Sequence, residues 1–132
     1  GIFRAFKERH ARRSAIVVHP TEGFSMAELF LGAEIVERGD VVLIAGDRGG
    51  GRFREMPFLG GARKFPEGAF RFAKHLERPV YFVASVRESG GYRVFAKLLS
   101  ADDLLGDYVR ELERLVKMYP DQWYQWEDDG NG

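Results

Sequence analysis

Asp47 and Arg48 are the first residues in this chain whose types and position suggest chemistry. They follow an apolar run, Val41–Ala45, and precede three consecutive glycines, Gly49–Gly51. Ligand crevices of open α/β sheets lie beyond the carboxyl ends of buried strands, and polar loop residues there are frequent site residues. Two readings stay open for the pair. It positions a polar substrate or shapes the glycine loop, or it is the ordinary charge of a surface turn. Arg52, Arg54, Arg63 and Lys64 follow, with Glu55 and Glu67 among them. Glycine-rich backbone beside guanidinium groups suits phosphate, and a solvated face is the alternative. The sequence holds no GxxxxGK[ST] and no GxGxxG, so this is neither standard nucleotide-binding loop.

The histidines offer less. His19 precedes Glu22 by three residues, a pair that would serve as a base and its orienting group, or as a local hydrogen bond at a strand end. No nucleophile is assigned to it. His10 lies in a basic stretch and His75 in a helical pattern. Without an HExxH or a single cysteine, no metal site and no disulfide is expected, and no cofactor is implied. Lys plus Arg and Asp plus Glu both number 20, so the formal net charge is zero. That balance argues against nucleic acid as a partner. At 45% hydrophobic and 30% charged residues the composition is globular. No apolar stretch approaches the roughly 18 residues of a membrane span.

These residues must be positioned by the elements around them. Residues 1–13 are basic with Ile2, Phe3 and Phe6 interspersed, which reads as a surface helix or as a segment touching an anionic membrane surface. The β-branched run in Ser14–His19 predicts a strand that Pro20 ends. Ser25 stands three residues before Glu28, a capping-box spacing, and Met26, Leu29, Phe30, Ala33 and Val36 mark a helix stopping near Gly39, with Arg38 in its last turn. Val41–Ala45 predicts a strand buried on both faces, and DRGGGRFREM a loop. Pro57–Gly61 reads as a short apolar segment. Pro66 opens a helix with Glu67 in its first turn and Ala69, Phe70, Ala73 and Leu76 on one face, ending at Glu77-Arg78-Pro79. Val80–Val86 and Tyr92–Leu99 flank a glycine turn and predict an antiparallel hairpin. Ser100 and Asp103 repeat the capping spacing before a helix of roughly 17 residues lined by Leu104, Leu105, Tyr108, Leu112, Leu115, Val116 and Tyr119. Pro120 ends it. Trp123, Tyr124 and Trp126 then anchor the tail to the core or form an interfacial belt. The expected fold is a single α/β domain over residues 1–132. It has a mixed, mostly parallel sheet with helices packed on it and a C-terminal antiparallel pair.

The motifs also form an ordered set. Gly46-Asp47 follows the central strand. Pro57-Phe58-Leu59-Gly60-Gly61-Ala62, Gly68, Ala73 and Pro79-Val80 come next, then Arg87 and the Tyr92 strand. The closing helix, LERLVKMY, leads into Pro120-Asp121-Gln122-Trp123. Across roughly residues 35–126 this order resembles the C-terminal half of the bacterial lipid A biosynthesis acyltransferases. These are the lauroyl and myristoyl transferases and their lysophospholipid-acyltransferase-like relatives. Phe65-Pro66-Glu67-Gly68 also resembles the FPEG block of glycerolipid acyltransferases.

The resemblance implies a partial glycerolipid-acyltransferase-like fold and transfer of an acyl group from acyl carrier protein or coenzyme A to a hydroxyl of a lipid or glycolipid. It also implies work at the cytoplasmic face of the inner membrane, peripheral or anchored. The family's catalytic His-x4-Asp or His-x4-Glu is absent here: the fifth residue after His10 is Ala15 and after His19 is Phe24. The chain also opens on Gly1 without an initiator Met. It is therefore expected to be the C-terminal part of a larger enzyme and inactive alone. On that reading Asp47 and Arg48 shape the catalytic site. Gly49, Gly50, Arg52, Arg63, Lys64 and Glu67 contact substrate. The competing class is a non-catalytic module that binds a phosphorylated or lipid ligand.

Overall fold

The computed structural model describes residues 15–18, 26–46 and 51–123. In chain order the elements are β1 (Ala15–Val18), α1 (Met26–Glu37), β2 (Val41–Ile44), β3 (Phe53–Phe58), β4 (Gly61–Pro66), α2 (Gly68–Leu76), β5 (Tyr81–Glu88), β6 (Gly91–Leu98), α3 (Leu104–Met118) and a 3-10 turn, Pro120–Gln122. The chain is mixed α/β. The single mixed sheet expected from the sequence does not form among the described residues: the strands pair two by two, as β1–β2, β3–β4 and β5–β6. The chain divides into two compact units, Gly1–Phe53 with Pro66–Arg78, and Arg54–Phe65 with Pro79–Gly132.

In the first unit β1 and β2 pair in parallel, Ala15 beside Val41 through Val18 beside Ile44, with α1 as the crossover. The double-sided burial expected for the second strand is corrected. Val41 and Leu43 are exposed and Val42 and Ile44 half-buried, because a two-stranded ribbon covered on one face buries only alternate residues. The expected apolar face of α1 is corrected in part: Leu29, Ala33 and Val36 are half-buried, as the spacing expects. Met26 and Phe30 are 64% and 70% exposed, while Gly32 and Ile35 are buried. Apolar residues surround this helix, so periodicity alone does not select the inward stripe. Arg38 lies past the helix end and pairs with Asp40 at 3.6 Å. Gly39 takes a left-handed φ of +85° and its N–H donates to the Val36 carbonyl, closing the helix as a C-terminal glycine does. Phe72, which stands outside the face that the spacing predicts, is the buried anchor of α2. Its ring lies against Gly32 so closely that a Cβ there would collide with it. The capping-box residues Ser25 and the Glu28 side chain lie outside the described residues.

In the second unit β5 and β6 form the expected antiparallel hairpin, with Tyr81 opposite Leu98 and Glu88 opposite Gly91. Helix α3 packs on one face of it. Phe82 meets Tyr108 edge-on at 5.4 Å, and Lys97 reaches Glu111 at 2.7 Å. The N-cap of α3 is Asp103 rather than Ser100: its carboxylate accepts the Gly106 N–H at 3.2 Å, and Ser100 instead donates its N–H to Asp107. The core gathers Phe58, Phe65, Phe82, Leu105, Val109, Val116 and Trp123.

Candidate functional site

The β3–β4 hairpin carries two of the four described site candidates, Arg63 and Lys64, and no sequence pattern marks it in advance. The segment read as a glycine-rich loop becomes strand from Phe53 onward. Leu59 and Gly60 form a two-residue turn, both with positive φ, +53° and +80°. That is the hairpin turn whose twist matches the flanking strands, and strands joined so tightly run antiparallel. It normally calls for Asn-Gly or Gly-Gly, so Phe-Leu-Gly-Gly gives no clear signal. A leucine is strained there. Leu59 is held from outside the hairpin: its N–H donates to Glu113 Oε2 on α3 at 2.7 Å.

Strand alternation separates Arg63 from Lys64. Side chains of adjacent strand residues point to opposite faces, so the two do not converge on one anion. Arg63 is half-buried with Phe65, its guanidinium 4.9 Å from the Trp123 ring centroid and 5.8 Å from that of Phe65. Phe58 meets both rings edge-on, at 5.4 Å from Phe65 and 5.2 Å from Trp123. This cation–aromatic packing fixes Arg63 against the core, and Trp123 is a core anchor rather than a belt residue. Tyr124 and Trp126 lie outside the described residues. Lys64 is exposed.

Arg52 and Glu67 belong to the first unit. Arg52 is exposed, and its carbonyl accepts the Glu67 N–H at 2.8 Å. Pro66 ends β4 instead of opening the helix. Glu67 is the N-cap of α2, not a first-turn residue, and its side chain makes no capping hydrogen bond. Its carboxylate still stands at the positive end of the helix dipole. Asp47, Arg48, Gly49 and Gly50, like His10, His19 and Glu22, lie outside the described residues. No group of three or more His, Cys, Asp or Glu suited to a metal exists among the described residues.

Among the described residues the shifted carboxyls all lie on α3, a helix whose charges no sequence motif singles out. Glu111 is buried, and burial pushes its carboxyl up. Lys97 and Arg114, at 2.7 and 2.9 Å, outweigh that and hold it below its usual value. The Leu59 N–H lowers Glu113, aided by Lys117 against a smaller effect of burial. The Ser100 N–H lowers Asp107, with burial opposing and Lys97 and Arg110 assisting. A signal for Glu111 was present: Leu104, Tyr108, Glu111 and Leu115 follow a helical seam, so its carboxylate falls within the apolar stripe.

Comparison of the chain with protein-family profiles, with curated proteins and with solved structures returns no match.

Proposed function

We propose that this chain is the C-terminal part of an O-acyltransferase. Such an enzyme moves a fatty acyl group from a thioester, on acyl carrier protein or coenzyme A, to a hydroxyl of a lipid or glycolipid. The observation that carries the reading is the order of short motifs from Gly46-Asp47 to Pro120-Asp121-Gln122-Trp123, which resembles the lipid A acyltransferases. The parallel β1–α1–β2 unit is compatible with it, since Gly46 stands just past the carboxyl end of β2, where α/β folds hold their ligands. A partial glycerolipid-acyltransferase-like fold is part of the same proposal. So is a place at the cytoplasmic face of the inner membrane, although no helix among the described residues is long and apolar enough to cross a membrane.

In this reading a histidine outside these 132 residues, oriented by an acid, takes the proton of the acceptor hydroxyl. The hydroxyl oxygen attacks the thioester carbonyl. The new C–O bond forms, the C–S bond breaks, and the thiolate leaves with the proton returned by the histidine. Asp47 and Arg48, which follow β2 in sequence, shape the site in this reading. Exposed Arg52 and Lys64 are free to meet an anionic group on donor or acceptor, whereas the ring packing of Arg63 limits its reach.

The absence of a His-x4-Asp or His-x4-Glu from the chain favours a second reading, a non-catalytic module for a phosphorylated or lipid ligand. Steady-state kinetics of the complete gene product separate the two. On the acyltransferase reading, Asp47→Ala and Arg48→Ala each lower kcat/KM for thioester-dependent transfer by roughly 10–100-fold, with an unchanged circular dichroism spectrum. Wild-type kinetics in both variants contradict the assigned roles.

A further inference from the structure

The outer face of the β5–β6 ribbon is apolar, and within its own unit no described residue packs on it. The register sets Tyr81 against Leu98, Val83 against Ala96, Ser85 against Val94 and Arg87 against Tyr92. Alternation puts all eight on one face. The opposite face turns Phe82 to Tyr108 and Phe95 to Tyr119. On the outer face Tyr81, Val83, Tyr92, Val94 and Leu98 are each more than half exposed, Tyr92 at 75%. Contiguous apolar surface of this kind marks an interaction site. Arg87 is the only charge on it. The neighbouring cations Arg93 and Lys97 belong to the inner face and are engaged by Glu88 at 3.5 Å and Glu111 at 2.7 Å.

We propose that this face binds the same face of a second copy of the chain, with the two ribbons antiparallel about a two-fold axis. Charge favours that occupant. Arg87 lies at the turn end of β5 and Tyr81 at the other, so antiparallel stacking carries each guanidinium to the partner's Tyr81 ring. The two Arg87 charges stay roughly 20 Å apart along the strands, six residues at about 3.3 Å each. The formal net charge of zero leaves no global repulsion between copies. An anionic lipid surface would instead be attracted by a basic rim, and among the described residues of the ribbon Arg87 alone faces that side. Two eight-residue strands offer a face of roughly 26 by 10 Å. That is about 260 Å² per copy, well below the roughly 800 Å² per partner of a standard specific interface, so the pair is weak and reversible. The inference is independent of the acyl-transfer reading.

Analytical ultracentrifugation of the whole chain across the micromolar range tests it. The expected result is a rise from one-chain to two-chain mass with concentration, abolished by Val94→Lys with the circular dichroism spectrum unchanged. The chain has no cysteine, which allows a second measurement on a conservative variant. Ser85→Cys, near the centre of the face, gives a covalent dimer with a short bis-maleimide. Arg110→Cys, on the solvent side of α3, does not. One-chain mass at every concentration overturns the proposal, as does equal cross-linking of the two cysteine variants. Flotation with phosphatidylglycerol vesicles, lost in Val94→Lys and without dimer formation, also overturns it by assigning the face to lipid.

Discussion

Glu113 closes a contact that spans 54 residues of sequence, from α3 to the turn of the β3–β4 hairpin. The bond is charge-assisted and holds a leucine in a left-handed conformation that leucine disfavours. Glu113→Ala should lower stability by about 1–2 kcal/mol, read from urea denaturation midpoints. Glu113→Gln, which keeps an acceptor, should retain part of that. Wild-type stability in Glu113→Ala would mean that the hairpin holds its turn unaided. Asp107, Glu111 and Glu113 all bind their protons less tightly in the folded chain than in the unfolded one. Their contribution is complete above the ordinary carboxylate range near pH 4 and is lost as pH falls through their lower folded values. Denaturation midpoints should therefore drop between about pH 5 and pH 3. Glu111→Gln, which titrates no proton at that position, should show a shallower drop. A profile equally steep in that variant would remove Glu111 from the account.

Helix α1 meets α2 through Gly32, whose missing side chain makes room for the buried Phe72 ring. Alanine is the better helix former by roughly 1 kcal/mol, yet Gly32→Ala should destabilise, by about 1–3 kcal/mol, because the buried Phe72 ring must shift to admit the methyl group. A thermal midpoint at or above wild type would show that the two helices slide apart cheaply. The elements differ in how legible they were. The β5–β6 hairpin and the long α3 could be read from the sequence because glycine turns and a clean apolar period mark them. The face of α1 could not, since its apolar residues run all round. The β3–β4 hairpin hid behind three glycines and a turn of the wrong composition. Its stability comes from Glu113 and from the Phe58–Phe65–Trp123 cluster, contacts that join distant parts of the sequence. Among the candidate site residues, charge and loop position singled out Arg63 and Lys64 as a pair. The strand that separates them onto opposite faces was not visible in that pattern.

Taken whole, the chain is a neutral, mixed α/β protein of two compact units. The candidate residues are distributed between the units. Arg52 and Glu67 sit in one, and Arg63 and Lys64 in the other, while Asp47 and Arg48 lie outside the described residues. The proposed acyl transfer needs a histidine and an acid that this sequence does not supply in the His-x4-Asp or His-x4-Glu spacing. The most direct measurement follows free thiol released from an acyl-thioester, with mass spectrometry of the lipid acceptor, for the complete gene product beside this 132-residue chain. Thiol release coupled to an acylated lipid is expected from the complete protein, and neither from the chain alone. A complete protein that is folded and transfers no acyl group from any thioester would contradict the proposal.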